Sequence, residues 1–222
     1  MLTDWNGAQL PMLRDTNGRY VQLRPFDYER DREGLFTSVC GNQNDDLWTY
    51  IPLYRPTTAD ELGDMLLKAA EQQGWQTYVI SMLDSNKPLG MASYMRIRPE
   101  HGSAEVGCVI FSKSLQRTRI ATEALYLMIK HAFDDLGYRR FEWKCNDGNE
   151  ASKRAAKRLG FTFEGIFRND LVVKGRNRDT TWFSIIDKEW PVIKSGFENW
   201  LRPDNFEVGD KQIKRLVFDS RD

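Results

Sequence analysis

The hydrophobic period of this chain changes once between residues 104 and 137, and that change constrains what the surrounding segments can build. Residues 104–111, Ala-Glu-Val-Gly-Cys-Val-Ile-Phe, form a largely apolar run of strand length. From Ile120 onward, Ala121, Ala124, Leu125, Met128, Ala132 and Phe133 recur at helical spacing, on one face of a helix that ends near Gly137. A strand therefore feeds directly into a long amphipathic helix. Such a junction requires a sheet with a helix packed on its face.

The flanking segments extend that plan. Residues 20–24 read as a first strand and residues 27–39 as a charged amphipathic helix with Asp27 as N-cap. A long loop covers residues 41–56. Thr58 then opens a second helix in a capping-box pattern with Glu61, with Leu62, Met65, Leu66 and Ala69 as its apolar stripe and Gly74 as its end. Residues 75–83 and 89–98 read as antiparallel strands around the turn Asp84-Ser85-Asn86-Lys87-Pro88, and residues 104–111 complete a meander. Further on come a strand at 140–145, a helix at 149–159 stopped by Gly160, strands at 161–166 and 180–186, and a final helix striped by Trp190, Ile193, Phe197, Trp200 and Leu201. The order β-α-α-β-β-β-α-β-α-β-β-α predicts a mixed α/β (α+β) fold with a central mixed sheet and helices on its faces. No Ser/Gly-rich linker or fixed-period repeat interrupts it. One domain over residues 1–222 is expected, with its core at about residues 20–187 and a C-terminal helix and tail at 188–222.

Composition narrows the function. Lys plus Arg number 32 and Asp plus Glu number 32, so no bulk field favours nucleic acid or an anionic membrane, and any anion site must be local. The longest apolar stretches fall far short of the roughly 20 residues that span a bilayer, and the first residues lack a basic-then-apolar signal pattern. A cytoplasmic protein is expected. Cys40, Cys108 and Cys145 are odd in number and widely spaced, which reads as core cysteines. His101 and His131 have no ligand partners at metal spacing, and there is no Gly-x-Ser-x-Gly elbow, so neither metal chemistry nor triad hydrolysis is expected.

Two segments carry chemistry. Ser114-Leu115-Gln116-Arg117-Thr118-Arg119-Ile120-Ala121-Thr122-Glu123 joins the strand to the long helix. A helix N-terminus there presents free N–H groups and the positive end of the macrodipole, and Arg117 and Arg119 add two cations. An ordinary connection with solvated arginines is the plainer reading of the same residues. Asn146-Asp147-Gly148-Asn149-Glu150-Ala151-Ser152 follows the next strand, where ligands of open α/β sheets bind. Asn149 can equally cap its own helix, and the two roles are compatible.

Taken together, the strand, the helix entry at Gln116 to Glu123, and Asn149-Glu150-Ala151-Ser152 ahead of Leu159-Gly160-Phe161 resemble the GNAT (GCN-five-related) N-acetyltransferase superfamily. Glu164-Gly165 after that Gly-Phe resembles its RimJ/RimL-like branch. The resemblance covers roughly residues 20–187. It implies a mostly antiparallel sheet with a V-shaped parting between residues 104–111 and 140–145, into which acetyl-CoA inserts. The implied cofactor contacts are the backbone around Val109, Ile110 and Phe111, the loop and helix start Gln116, Arg117, Thr118, Arg119, Ile120, Ala121 and Thr122, and Asn149 with Ser152. The sequence departs from the family at Arg119, which stands where the first glycine of the phosphate loop belongs. Arg117 and Arg119 supply charge there, and Ala121 keeps the second small position.

The implied reaction is direct transfer of an acetyl group from acetyl-CoA to a primary amine in a ternary complex. A backbone N–H near Val109 would meet the oxyanion, and Ser152 would donate to the departing thiolate. Glu105 and Asp179 are the candidate bases. Trp48 and Tyr50, in the loop after the first helix, either wall the acceptor pocket or anchor the loop. Deprotonating an α-amine of pKa about 8 at pH 7 costs roughly 1.4 kcal/mol, against roughly 4.6 for a lysine of pKa about 10.4. That favours a protein N-terminus or a small-molecule amine of low pKa. The principal alternative is a catalytically silent GNAT-fold module that binds CoA or a protein. An unrelated nucleotide-binding protein ranks lower, since neither a Gly-x-x-x-x-Gly-Lys-Ser/Thr loop nor a Gly-x-Gly-x-x-Gly fingerprint occurs. A homodimer is compatible with all of these readings.

Overall fold

The computed structural model describes residues 5–218. One sheet of eight strands runs through them in the order β1-β2-β3-β4-β5-β6-β8-β7. The strands are β1 (Thr16–Asn17), β2 (Val21–Pro25), β3 (Gln76–Met82), β4 (Pro88–Arg98), β5 (Ser103–Phe111), β6 (Arg140–Asn146), β7 (Thr162–Val173) and β8 (Arg176–Ile186). Every neighbouring pair is antiparallel except β5 and β6.

Alternation along the central strands sends side chains into two cores. Val79, Met91 and Ile110 join Leu35, Leu62 and Leu66 of α1 (Tyr28–Val39) and α2 (Ala59–Gln73) on one face. Tyr78, Ala92, Tyr94 and Phe141 pack on the other against α3 (Arg119–Lys130), α4 (Glu150–Arg158) and α5 (Trp190–Trp200). The helix ends obey their caps. Asp27 Oδ1 accepts from Arg30 N at 2.9 Å and Thr58 Oγ1 from Glu61 N at 3.1 Å, while Gly74 closes α2 with φ +66°. α5 carries Trp190, Ile193, Phe197 and Trp200 into the larger core.

The late hairpin is longer than expected, because β7 and β8 run through residues 167–179, which are mostly polar. A bulge sets Arg168, Asn169 and Asp170 against Asp179 alone, with Asn169 at φ +53°. β7 is an edge strand exposed along most of its length, so no alternation marks it in the sequence.

The sheet parts between β5 and β6. They pair only at Ser103–Arg140, Ala104–Phe141 and Glu105–Glu142. Just beyond, Cys108 and Val109 bulge against Ala92 of β4, with Cys108 at φ +48°, and β5 bends away from β6. From Val106 to Phe111 the edge of β5 that faces β6 has no strand partner among the described residues. No helix among the described residues is long and apolar enough to cross a membrane.

Candidate active site

The mouth of this parting collects the segments singled out in the sequence. Ser112 to Thr118 turns tightly, with Arg117 at φ +62° and Gln116 Nε2 donating to the Phe111 carbonyl at 3.0 Å. Thr118 caps α3, its Oγ1 accepting from Ala121 N at 3.1 Å. That bond satisfies only one of the N–H groups a helix start leaves open, and those of Arg119 and Ile120 find no partner among the described residues. Thr122 accepts from Arg158 Nη1 at 3.1 Å one turn further on.

Arg119 does not point at this opening. Its guanidinium lies 4.1 Å from the Tyr20 ring centroid, also contacts Phe206, and pairs with Asp210 at 2.7 Å. The larger side chain is accommodated in place of glycine because it leaves sideways toward the C-terminal segment, away from the backbone of the turn. Arg117, by contrast, is exposed.

Across the mouth, Asn149 caps α4, its Oδ1 accepting from Ser152 N at 3.1 Å. The Ser152 hydroxyl accepts from Trp143 Nε1 at 3.0 Å and also stands beside the Cys145 thiol, toward which it can donate. Val109 and Phe111 are half-buried along the free edge of β5, and Ile110 points into the smaller core.

At the vertex sits Glu105, 2 % exposed, at the last paired position before the strands separate. Lys144 Nζ stands 3.3 Å and Arg96 Nε 3.7 Å from its Oε2. Burial outweighs these cations and pushes its pKa up to about 7. The carboxyl has room because residue 107 is glycine: a Cβ there would stand 2.8 Å from Glu105 Oε1 and collide with Met95. Beside it, buried Glu142 accepts from Arg98 Nη2 and Arg140 Nε, both at 2.8 Å. A cleft of about 370 Å³ opens on this face, its walls including Arg96, Glu142, Phe167 and Trp182.

Asp179 sits opposite the β7 bulge. Its Oδ1 accepts from Asn169 N at 2.8 Å and Asn177 Nδ2 at 2.9 Å, and these bonds hold its pKa below the usual carboxylate range. It pins the β7 bulge. Trp48 is 2 % exposed and donates from Nε1 to the Val39 carbonyl at 2.8 Å, anchoring its loop to the smaller core. Tyr50 is exposed and its ring lies against Gly148 at the end of β6, on the side of the mouth.

Sequence reasoning did not single out Arg96, Glu142, Trp143, Lys144 or Arg178. Part of the signal was present: Arg-Phe-Glu-Trp-Lys-Cys at residues 140–145 alternates charged with apolar, which places three charges on one face of a central strand. All three thiols are raised by burial, those of Cys40 and Cys108 to about 12, so none is an activated nucleophile. Among the described residues no group of His, Cys, Asp or Glu side chains is arranged to hold a metal ion.

The parted sheet is the arrangement that the resemblance to acyl-CoA-dependent acyltransferases implies. Comparison with known proteins gives the family. Residues 21–162 match the model of the acetyltransferase (GNAT) domain. The Bacillus subtilis (strain 168) protein named "Putative ribosomal N-acetyltransferase YdaF" is 33% identical over 170 residues, covering 76% of this chain and 90% of its own length. The crystal structure of a GCN5-related N-acetyltransferase from Brucella melitensis superposes with a TM-score of 0.91 at 38% identity, covering 97% of each chain. An acetyl transferase from Salmonella typhimurium, described as modifying the N-terminal serine of 50S ribosomal subunit protein L7/L12, superposes with a TM-score of 0.65 at 25% identity, covering 76% of this chain and 96% of its own. The chain belongs to the GNAT family of N-acetyltransferases, in its RimJ/RimL-like branch.

Proposed function

We propose that this enzyme transfers an acetyl group from acetyl-CoA to a primary α-amine, with a polypeptide N-terminus as the favoured acceptor, by direct attack in a ternary complex. One observation carries the reading: Glu105, with a pKa of about 7, at the vertex of the parting.

The residues at the mouth fit acetyl-CoA. The open N–H groups of Arg119 and Ile120, with exposed Arg117 beside them, suit the diphosphate. The free edge from Val109 to Phe111 suits the amide-bearing arm, and Asn149 with Ser152 faces it from β6 and α4. Transfer then needs an amine freed of its proton, a donor for the oxyanion and an acid for the thiolate. Glu105 takes the amine proton. The backbone distorted by the Cys108 bulge offers an N–H near Val109 for the oxyanion, and Ser152, oriented by Trp143, donates to sulfur. With every thiol raised by burial, an acyl-cysteine intermediate has no suitable nucleophile, which supports direct transfer. Asp179 is the weaker base, since its lowered pKa and two hydrogen bonds oppose proton uptake.

A base of pKa about 7 suits an α-ammonium of pKa about 8, about one unit uphill, better than a lysine more than three units above it. The names of the Bacillus and Salmonella relatives point to ribosomal proteins, and this chain's polar acceptor face is compatible with a peptide. The test is thiol release from acetyl-CoA with matched amines. A peptide with a free N-terminus should give a kcat/KM at least about tenfold above an N-α-blocked lysine peptide. Equal or inverted values would remove the α-amine reading. No release with any amine would favour a silent CoA-binding module.

A further inference from the structure

The cations beside Glu105 and Glu142 each have a carboxylate. Arg96 and Lys144 flank Glu105, Arg98 pairs with Glu142, and Arg140 binds both Glu142 and Glu164. Arg178 has none within ion-pairing distance among the described residues. It is 6 % exposed, yet among the described residues its side chain makes one hydrogen bond, a long one of 3.5 Å from Nη1 to the Tyr50 carbonyl, and its buried Nε has no partner there. On β8 it shares a sheet face with Thr180 and Trp182, and Trp182 lies under Lys144 and Arg96. The loop carrying Tyr50 closes over it. Cys145, Asp170 and Glu105 lie within electrostatic range, and neither carboxylate is at ion-pairing distance.

A buried guanidinium without a counter-ion is costly, and a charge that develops only during reaction cannot offset that cost in the resting complex. A ground-state anion can. The pantetheine arm of CoA carries no charge, and the diphosphate belongs at the other side of the mouth, by α3. We infer that Arg178 receives a carboxylate of the acceptor, so that the enzyme selects amines carrying a carboxylate close to the amino group. This inference rests on the acceptor site proposed above. On a polypeptide the carboxylate is an acidic side chain next to the first residue; on a free amino acid it is the α-carboxylate.

Calorimetric binding to the CoA-loaded protein tests it without requiring turnover. Two matched pairs are used: N-terminal peptides Ser-Asp and Ser-Asn of otherwise identical sequence, and free serine with its α-amide. In the wild type the carboxylate member of at least one pair should bind at least about tenfold more tightly. The pair that shows the preference identifies peptide or amino acid as the source. Arg178→Gln should abolish the preference, and Arg178→Lys, which keeps the charge, should retain most of it. Equal binding of both members in both pairs would overturn the inference, as would a preference that survives Arg178→Gln in a protein of unchanged near-ultraviolet dichroism. Absence of acetyl transfer to every amine would count against the proposed activity, while the binding ratios would still decide the role of Arg178.

Discussion

Glu105 combines two opposed demands on one side chain. A carboxyl buried this deeply destabilises the fold once ionised, yet its raised pKa is what suits it to remove a proton near neutrality. Linkage makes the cost measurable. Its pKa rises from 4.5 to about 7 on folding, so the native state holds the proton more tightly than the unfolded chain does. Its contribution to stability is therefore intact below about pH 4.5, is lost as pH rises to about 7, and is constant above that. Over this window the loss is on the order of 3 kcal/mol. Glu105→Gln removes the titration, so the Tm of the variant relative to wild type should climb steadily from pH 4.5 to 7. Melting curves with a constant difference across that range would show that Glu105 titrates normally. The residue was legible as a base candidate from its place on β5, but its advantage over Asp179 was not. That depends on Lys144, Arg96 and Glu142 arriving from neighbouring strands, and on Asn169 and Asn177 claiming the other carboxylate.

At the scale of elements, the helix starts were the most readable features, because a cap is written within a few residues: Asp27, Thr58 and Asn149 accept from the backbone of their own first turn, while the Thr118 cap of α3 was not read in the sequence. The β7–β8 hairpin was the least readable. Its edge strand β7, exposed along most of its length, carries no alternation, and the bulge at Arg168 to Asp170 breaks what period remains. The π turn His131–Asp135 that ends the long helix left no local mark either, since its residues continue the apolar stripe. The entry to α3 yields a prediction that separates its two arginines. Arg117→Glu should weaken acetyl-CoA binding several-fold by placing an anion beside the diphosphate. Arg119→Ala should change that affinity less and lower Tm instead, since its guanidinium already pairs with Asp210 and stacks on Tyr20. Isothermal titration of both variants decides this; a larger affinity loss for Arg119→Ala would place its charge on the cofactor after all.

For the whole molecule, function follows from a single interruption in an otherwise continuous sheet. β5 and β6 pair at three positions and then diverge, so the site is bounded by strand edges and helix starts that belong to no one local motif. The polar face of β6, with Arg140, Glu142 and Lys144, supplies the electrostatics, while Phe141, Trp143 and Cys145 on its other face hold it against the larger core. Sequence periodicity predicts which segments are strands, but not that a carboxylate on one and a lysine on the next meet at the point of separation. The measurement that tests this account most directly is the pH dependence of kcat/KM for acetyl transfer to one N-terminal peptide, in wild type and Glu105→Gln, from about pH 5.5 to 9. The wild type should rise with pH and bend near 7, where Glu105 loses its proton. The Gln variant should fall by about 10² or more and lose that bend, keeping only the slope set by the acceptor's own amine. A Gln variant with wild-type rate and an unchanged profile would contradict the assignment of Glu105 as the base.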